Sequence, residues 1–384
     1  MHFRTRAIHV GQDRDPQTGA VVPPLHLAST FVQPGAGVWG EFDYSRSGNP
    51  TRKAFETTIA SLESGTGGLA FASGMAATTC AVMALSSGDH ILAGSDIYGG
   101  TFRLLHKVVN RLGIEVTLAS STNLAEFTAA IRPETKMIWL ESPGNPLMSI
   151  TDLAAIAKIA KARGILTAVD NTFATPVLSR PLEQGADIVM HSCTKYIGGH
   201  SDLLGGALVV KDKALYDRLY FIQNATGNVM GPLECFLASR GLKTLELRVR
   251  EQSRTALQLA EWLASDSRVS RVLYPGLKNH LGHEIACRQM EGAFGAMLTF
   301  ELAGNDFAQA KKVCEATKLF QLAVSLGAVE SLIEQPASMS HASYDPAARA
   351  RFGITNGLIR LSVGLEDFND LRDDLEQAIR AATG

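Results

Sequence analysis

The chain has almost no charge imbalance, few cysteines and no long apolar run, and each shortage excludes something. Lys and Arg number 36 against 38 Asp and Glu, for a formal net charge of -2 over 384 residues. No overall field therefore draws the molecule to nucleic acid or to an anionic membrane. No stretch reaches the roughly 18 consecutive apolar residues that cross a bilayer. The opening residues, MHFRTRAIHVGQDRD, hold no apolar signal-peptide core. The five cysteines (Cys80, Cys193, Cys235, Cys287 and Cys314) are odd in number and scattered, with no CxxC. This is the usage of a reducing cytoplasm, with each thiol expected to be a small buried hydrophobe. The chain is thus expected to be cytoplasmic, with neither a nucleic-acid nor a membrane partner. No GxxxxGK[ST] occurs and the sheet-forming stretch holds no GxGxxG, so nucleotide readings lack support. Repeats and low-complexity tracts are absent too.

What is present is a globular chain. With 46% hydrophobic and 19% charged residues it can bury a large core, and its length suggests two or three domains. Residues 1–60 are rich in turn formers, such as Gln33-Pro34-Gly35-Ala36-Gly37 and Ser47-Gly48-Asn49-Pro50, and read as an extended arm. From 61 to 245 short apolar runs alternate with helical stretches such as Asp152–Arg163. The runs are Leu69–Ala72, His90–Ala93, Glu115–Ala119, Lys136–Leu140, Ile165–Asp170, Asp187–His191 and Ala207–Val210. Runs apolar on both faces and separated by helices predict a mostly parallel, doubly covered sheet, an α/β domain. A helix-rich stretch is expected over 245–271. Residues 246–384 then read as a smaller α+β domain with strands at Ala296–Leu302 and Leu358–Val363, closed by an acidic helix, Asp367–Ala381, whose acidic face from Asp367 to Asp374 is expected to be solvated.

The chemistry concentrates at two strand ends. The run Ile165–Asp170 ends in an aspartate, and the next run leads into Ser192-Cys193-Thr194-Lys195. Carboxyl ends of parallel strands face the ligand crevice, so a carboxylate, two hydroxyls and an amine meet there. Together they suit pyridoxal phosphate. The lysine forms an imine and shuttles the Cα proton if burial lowers its pKa. The buried aspartate keeps the pyridine nitrogen protonated, and the hydroxyls reach the phosphate. Phe71-Ala72-Ser73-Gly74-Met75-Ala76 opens an Ala-rich helix after a strand, so its free N–H groups can face an anion. Taken singly, that turn is an ordinary strand-to-helix connection, and Lys195 alone would be an ordinary surface lysine. A cofactor-free Schiff-base aldolase on Lys195 would leave Asp170 and the phosphate cradle without purpose.

The motifs Tyr44-Ser45-Arg46-Ser47-Gly48-Asn49-Pro50-Thr51-Arg52, Ala72-Ser73-Gly74-Met75-Ala76, Tyr98-Gly99-Gly100-Thr101, Glu141-Ser142-Pro143-Gly144-Asn145-Pro146, Val169-Asp170-Asn171-Thr172-Phe173, His191–His200 and Ile359-Arg360-Leu361-Ser362-Val363-Gly364 carry a resemblance. Over nearly its whole length the chain resembles the cystathionine γ-synthase, cystathionine β/γ-lyase and methionine γ-lyase family of fold-type-I pyridoxal-phosphate enzymes. The resemblance implies a fold-type-I transferase-like α/β architecture and a homotetramer of two site-sharing dimers. It implies Lys195 as the Schiff-base lysine, Asp170 as the pyridinium partner and Tyr98 as a stacking and proton-transfer residue. Gly74, Met75, Ser192 and Thr194 would hold the phosphate, with Tyr44 and Arg46 reaching into a neighbouring subunit. Arg360, Asn145 and Ser325 would bind the substrate α-carboxylate.

The implied activity is cleavage of a C–S bond in cystathionine or a related thioether. Cystathionine γ-synthase, O-acylhomoserine sulfhydrylase and methionine γ-lyase are the alternatives. Arg103 matches an arginine that cystathionine-handling members use for the distal carboxylate. Val324, however, stands where those members usually carry glutamate and methionine γ-lyases carry valine. Gly100 stands where methionine γ-lyases typically have cysteine, and Leu326 follows Ser325 where bacterial β-lyases have tryptophan. His280 and His283 read as a surface pair rather than metal ligands, and His191 and His200 as packing and turn residues. Trp39 fits either a subunit contact or a partly buried arm residue.

Overall fold

The computed structural model of the chain describes residues 1–342 and 346–383. The seven apolar runs become β1 (Gly67–Phe71), β2 (His90–Gly94), β3 (Glu115–Ala119), β4 (Thr135–Glu141), β5 (Leu166–Asp170), β6 (Ile188–Ser192) and β7 (Gly206–Val210). They form one sheet in the order β1-β7-β6-β5-β4-β2-β3. Pairings from β3 to β6 are parallel, while β7 runs antiparallel to both β6 and β1. The central strands are buried almost throughout, which is why their sequences read as apolar on both faces.

The topology fixes where a ligand can sit. The chain moves outward from β2 to β3, returns to β4 on the far side of β2, and continues through β5 to β6. That reversal opens a crevice outside the carboxyl ends of the strands. Register brings those ends level, with Glu141 beside Asp170 and Asp170 beside Met190, two residues before Ser192.

A second sheet holds β8 (Val269–Leu273), β9 (Met297–Leu302), β10 (Gln321–Leu322), β11 (Leu332–Glu334) and β12 (Leu358–Ser362), ordered β10-β11-β12-β9-β8. The stretch expected to be helical to 271 stops at Ser265, and β8 begins at Val269. Strand β8 lies at the sheet edge and exposes Ser270 and Arg271, so its sequence lacks the apolar run of a central strand. Strands β10 and β11 are too short for any period to show. One contiguous core joins the two sheets, running from Phe55 and Ile59 through Val189 and Tyr196 to Phe300, Leu361 and Ile379.

Residues 1–49 contain the helix Phe3–His9 and isolated bridges such as Thr30–Tyr44, with Leu27, Val32 and Trp39 largely exposed. The last residues assigned to the arm, 50–60, lie in a helix that runs Pro50–Leu62. Asn49 caps it by accepting the N–H groups of Thr51 and Arg52, and proline occupies the first turn, so the Asn-Pro-Thr-Arg motif is a helix start. A GxGxxG spacing does occur in the arm, at Gly35, Gly37 and Gly40, but no strand leads into it and no helix leaves it. It therefore lacks the frame that a dinucleotide requires.

Two expectations about polar groups are corrected. Cys287 is exposed, while the other four thiols are buried. Asp374, on the final helix Phe368–Thr383, is buried rather than solvated, since it accepts the backbone N–H groups of Lys318, Leu319 and Phe320. Those three donors leave a turn that has no helix or strand to satisfy them, and the carboxylate supplies the acceptors. No helix among the described residues is long and apolar enough to cross a membrane.

Candidate active site

A cavity of about 370 Å³ lies where the carboxyl ends of β4, β5 and β6 meet the second sheet. Lys195, one turn beyond β6, enters it and donates from Nζ to Ser325 Oγ at 2.6 Å. Burial and the nearby Arg360 guanidinium push its amine down to about 8. Asp170, at the end of β5, faces the same space and accepts the Thr172 N–H at 3.0 Å. Burial raises its pKa. An aspartate in that position is relieved by a cationic partner, which the protonated nitrogen of a pyridine ring can be.

The opposite wall is built for an anion. Ser73 caps the helix Gly74–Val82 by accepting the Ala76 N–H, so among the described residues the Gly74 and Met75 N–H groups have no backbone partner and point outward. A Cβ on Gly74 would lie 2.9 Å from Ser192 Cβ, so only glycine lets the helix start approach the end of β6. Ser192 and Thr194 both line the cavity. Thr194 Oγ1 also accepts the Gly205 N–H at 3.0 Å, which fixes its oxygen beside the cradle.

Arg360, on β12, closes the far side. Its Nη1 donates to Asn145 Oδ1 at 2.9 Å and pairs with Glu334 Oε1 at 3.0 Å, while Nη2 donates to the Ser325 carbonyl at 2.9 Å. The Nε–H has no partner among the described residues. One edge of the guanidinium, Nε–H and the second Nη2 hydrogen, therefore matches the fork geometry of a carboxylate.

Tyr98 stands at the mouth, 40% exposed, its N–H held by Glu141 Oε2 at 2.8 Å. Its ring occupies the space a side chain at position 100 would need, because a Cβ on Gly100 would come within 2.3 Å of it. Arg103 and Val324 line the same cavity. Tyr44 and Arg46 do not. Instead Arg46 donates to the Asn224 carbonyl at 2.6 Å.

Two acidic residues of this site escaped sequence reasoning. Glu141 ends β4 beside Asp170, and burial together with that neighbouring carboxylate holds its pKa well above the usual range. The strand-end rule that singled out Asp170 applies to it equally. Glu334 balances Arg360 through the β11–β12 register, a cross-strand pair that leaves no local signal. The histidines have structural partners: His191 Nε2 lies 2.6 Å from buried Glu63, and His200 Nδ1 lies 2.8 Å from the Gly198 carbonyl. His283 Nδ1 lies 2.8 Å from the Pro275 carbonyl, and His280 Nδ1 accepts the Gly282 N–H at 3.1 Å.

The donor set fits pyridoxal phosphate: an amine with depressed pKa, a buried carboxylate in need of a cation, and a glycine-dependent anion cradle. Known proteins agree. A profile of Cys/Met metabolism PLP-dependent enzymes matches residues 4–380. The chain is 50% identical over 380 residues to the cystathionine beta-lyase of Coxiella burnetii, covering 98% of each protein. It is 51% identical over 378 residues to the cystathionine gamma-synthase of Mycobacterium tuberculosis, covering 98% of this chain and 96% of that one. The crystal structure of cystathionine gamma-lyase from Lactobacillus plantarum complexed with L-serine superimposes with a TM-score of 0.97 at 45% identity, covering 100% and 99% of the two chains.

Proposed function

Because this chain belongs to the family of Cys/Met metabolism PLP-dependent enzymes, we propose that it cleaves the C–S bond of cystathionine or a related thioether amino acid by elimination. The carrying observation is the convergence of Lys195, Asp170 and the open edge of Arg360 on one cavity. Bound there, pyridoxal phosphate would supply a protonated ring able to take up negative charge from the substrate Cα. Asp170 would hold the proton on the ring nitrogen. The Gly74 and Met75 N–H groups, with the Ser192 and Thr194 hydroxyls, hold the phosphate. Lys195 Nζ takes the Cα proton, and its pKa near 8 leaves a substantial neutral fraction at working pH. A sulfur on Cβ then leaves directly, whereas a sulfur on Cγ requires a second proton to be taken from Cβ. Arg360 and Asn145 fix the α-carboxylate, and so the direction of the Cα–H bond, while Ser325 positions Arg360 and Lys195 together. Tyr98, at the mouth of the cavity, would face the ring and leave its hydroxyl available to the departing sulfur.

Tyr44 and Arg46 reach the phosphate in a neighbouring copy of this chain, and four copies assemble as two site-sharing dimers. Support comes from their position outside their own cavity and from the apolar residues the arm exposes, Leu27, Val32 and Trp39 among them.

Replacement at Cγ, joining an O-acylhomoserine to cysteine, is the second reading, favoured by the similarity to a cystathionine gamma-synthase. Purified enzyme should be tested on cystathionine, cysteine, methionine, homocysteine, and O-acylhomoserine with cysteine, with both keto acid and sulfur product measured. Keto acid from cystathionine is the expected dominant result. Cystathionine formed from O-acylhomoserine and cysteine, with no keto acid from cystathionine alone, would overturn it.

A further inference from the structure

Two of the buried polar side chains on the helix Leu245–Ser265, Arg248 and Gln252, lie one turn apart and end on active-site loops. Arg248 is 5% exposed, yet among the described residues its hydrogen bonds all go to neutral oxygens. Nη1 donates to the Tyr196 carbonyl and Nη2 to the Gly241 carbonyl, each at 2.8 Å, while Nε donates to Thr244 Oγ1 at 3.2 Å. A buried cation with only carbonyl and hydroxyl partners is costly to keep. Tyr196 is the residue after Lys195. The turn wraps the guanidinium so closely that a Cβ on Gly199, where φ is +73°, would fall 2.1 Å from Nη1.

Gln252 repeats the pattern for the other half of the site. It is fully buried, and its Nε2 donates to the Ala328 carbonyl at 2.7 Å and to the Val363 carbonyl at 3.0 Å. Ala328 lies three residues past Ser325, and Val363 three residues past Arg360. Among the described residues the buried Gln252 Oε1 has no partner, a cost that an apolar side chain would avoid. The two loops also touch each other directly, through the Val329 N–H on the Gly199 carbonyl at 3.0 Å.

We propose that Arg248 and Gln252 are positioning residues that reference the Lys195 segment and the Ser325–Arg360 clamp to one rigid helix. This rests on the roles proposed above for Lys195 and Arg360. Side chains four residues apart share a helix face, so their grips hold the two loops at a fixed separation. That separation is read out in the 2.6 Å contact between Lys195 Nζ and Ser325 Oγ. The amine and the carboxylate clamp must act on one Cα, and a misplacement of about 1 Å can cost about a hundredfold in rate.

The test divides the two grips. Arg248→Lys replaces three directed donors by one point charge. It should weaken pyridoxal phosphate binding to the cofactor-free enzyme about tenfold and shift the midpoint of the absorbance titration of the Lys195-bound cofactor. Because the Lys195–Ser325 contact ties the titration midpoint to both grips, Gln252→Leu should move that midpoint too but leave the affinity for pyridoxal phosphate unchanged. It should instead weaken binding of glycine, an amino acid with no leaving group, about tenfold, read by absorbance. Val249→Ala, a core truncation on the same helix, should lower Tm and move neither readout. Thr244→Val and Gln252→Met serve as milder substitutions if the first pair fails to fold, with smaller shifts in the same division. The proposal falls if neither variant shifts its own affinity, if each shifts both affinities in equal proportion, or if Val249→Ala reproduces the shifts at equal loss of Tm. These are binding and spectral measurements, so they stand even if cystathionine is not the substrate. Borohydride fixing the cofactor to another lysine would instead overturn the roles beneath the proposal.

Discussion

Introducing a carboxylate at position 324 is expected to redirect the enzyme toward cystathionine. Beyond its sulfur, cystathionine carries a second carboxylate and a second ammonium, whereas methionine ends in a methyl group. Arg103 and Val324 both line the cavity. The arginine suits the carboxylate, and the valine offers the ammonium nothing but an apolar surface. A charge pair about 4 Å apart gains ~1 kcal/mol in water and ~4 kcal/mol at a protein-like dielectric. Val324 is 59% exposed, however, so the pair forms at the wet mouth of the site, where exposed pairs contribute roughly 0.2–1 kcal/mol. Val324→Glu should therefore raise the cystathionine-to-methionine ratio of kcat/KM by about fivefold, equivalent to about 1 kcal/mol. Arg103→Leu should lower the ratio by a similar factor, and both effects should shrink in high salt. Cofactor-saturated variants are compared on the two substrates at low and high ionic strength. An unchanged ratio in folded, loaded Val324→Glu enzyme would refute the reasoning, because Val324 would then face away from the substrate tail.

Lys195→Ala should still bind pyridoxal phosphate through the phosphate cradle but lose turnover, and borohydride followed by peptide mapping should fix cofactor in the parent enzyme at Lys195 alone. Asp170→Asn should keep less than about a tenth of the rate, a barrier increase above roughly 1.4 kcal/mol, because a ring nitrogen without its carboxylate is a poor electron sink; stopped-flow turnover of loaded enzyme checks it. Mixing inactive Arg46→Ala and Lys195→Ala chains under proven subunit exchange should restore activity, since a hybrid dimer would contain one site with both residues intact; no recovery would mean that Arg46 does not act across subunits. In the cofactor-free enzyme the Lys195 amine is depressed from 10.5 to about 8. Between those values the unfolded chain holds a proton that the folded chain does not. This group's contribution is therefore complete above about pH 10.5 and is lost as pH falls through about 8. Thermal unfolding of cofactor-free protein should show that trend, and Lys195→Ala should lack it.

What could be read from the chain alone follows from burial. Strands β2 and β4 to β7 are covered on both faces, so each writes an unbroken apolar run, and their ends name Asp170 and Lys195. Strand β8 hides because an edge strand keeps polar residues, and β11 because three residues carry no period. Glu334 and Arg360 lie 26 positions apart and meet only through antiparallel register. Arg248 and Gln252 look like the polar face of an amphipathic helix, which is what a solvated helix would also show. Only the carbonyls they reach, in segments 52 and 76 or more positions away, distinguish the two cases.

The same division explains why the family is plain while the reaction is harder to assign. The roles proposed for Lys195, Asp170 and Arg360 serve any chemistry that begins by removing a Cα proton, so near-equal identity to a cystathionine beta-lyase and to a cystathionine gamma-synthase is what a shared interior would produce. Discrimination has to come from groups that meet the leaving sulfur and what lies beyond it. Those groups sit at the mouth, where Tyr98 is 40% and Val324 59% exposed. The Tyr98 ring rests there because position 100 has no side chain: a Cβ would lie 2.3 Å from the ring and 3.0 Å from Met75 Sδ. A relative with cysteine at that position must therefore carry its tyrosine elsewhere, and the hydroxyl with it. With the role proposed for Tyr98, Gly100 would set where a proton is offered to the departing sulfur, and it would do so by occupying no space.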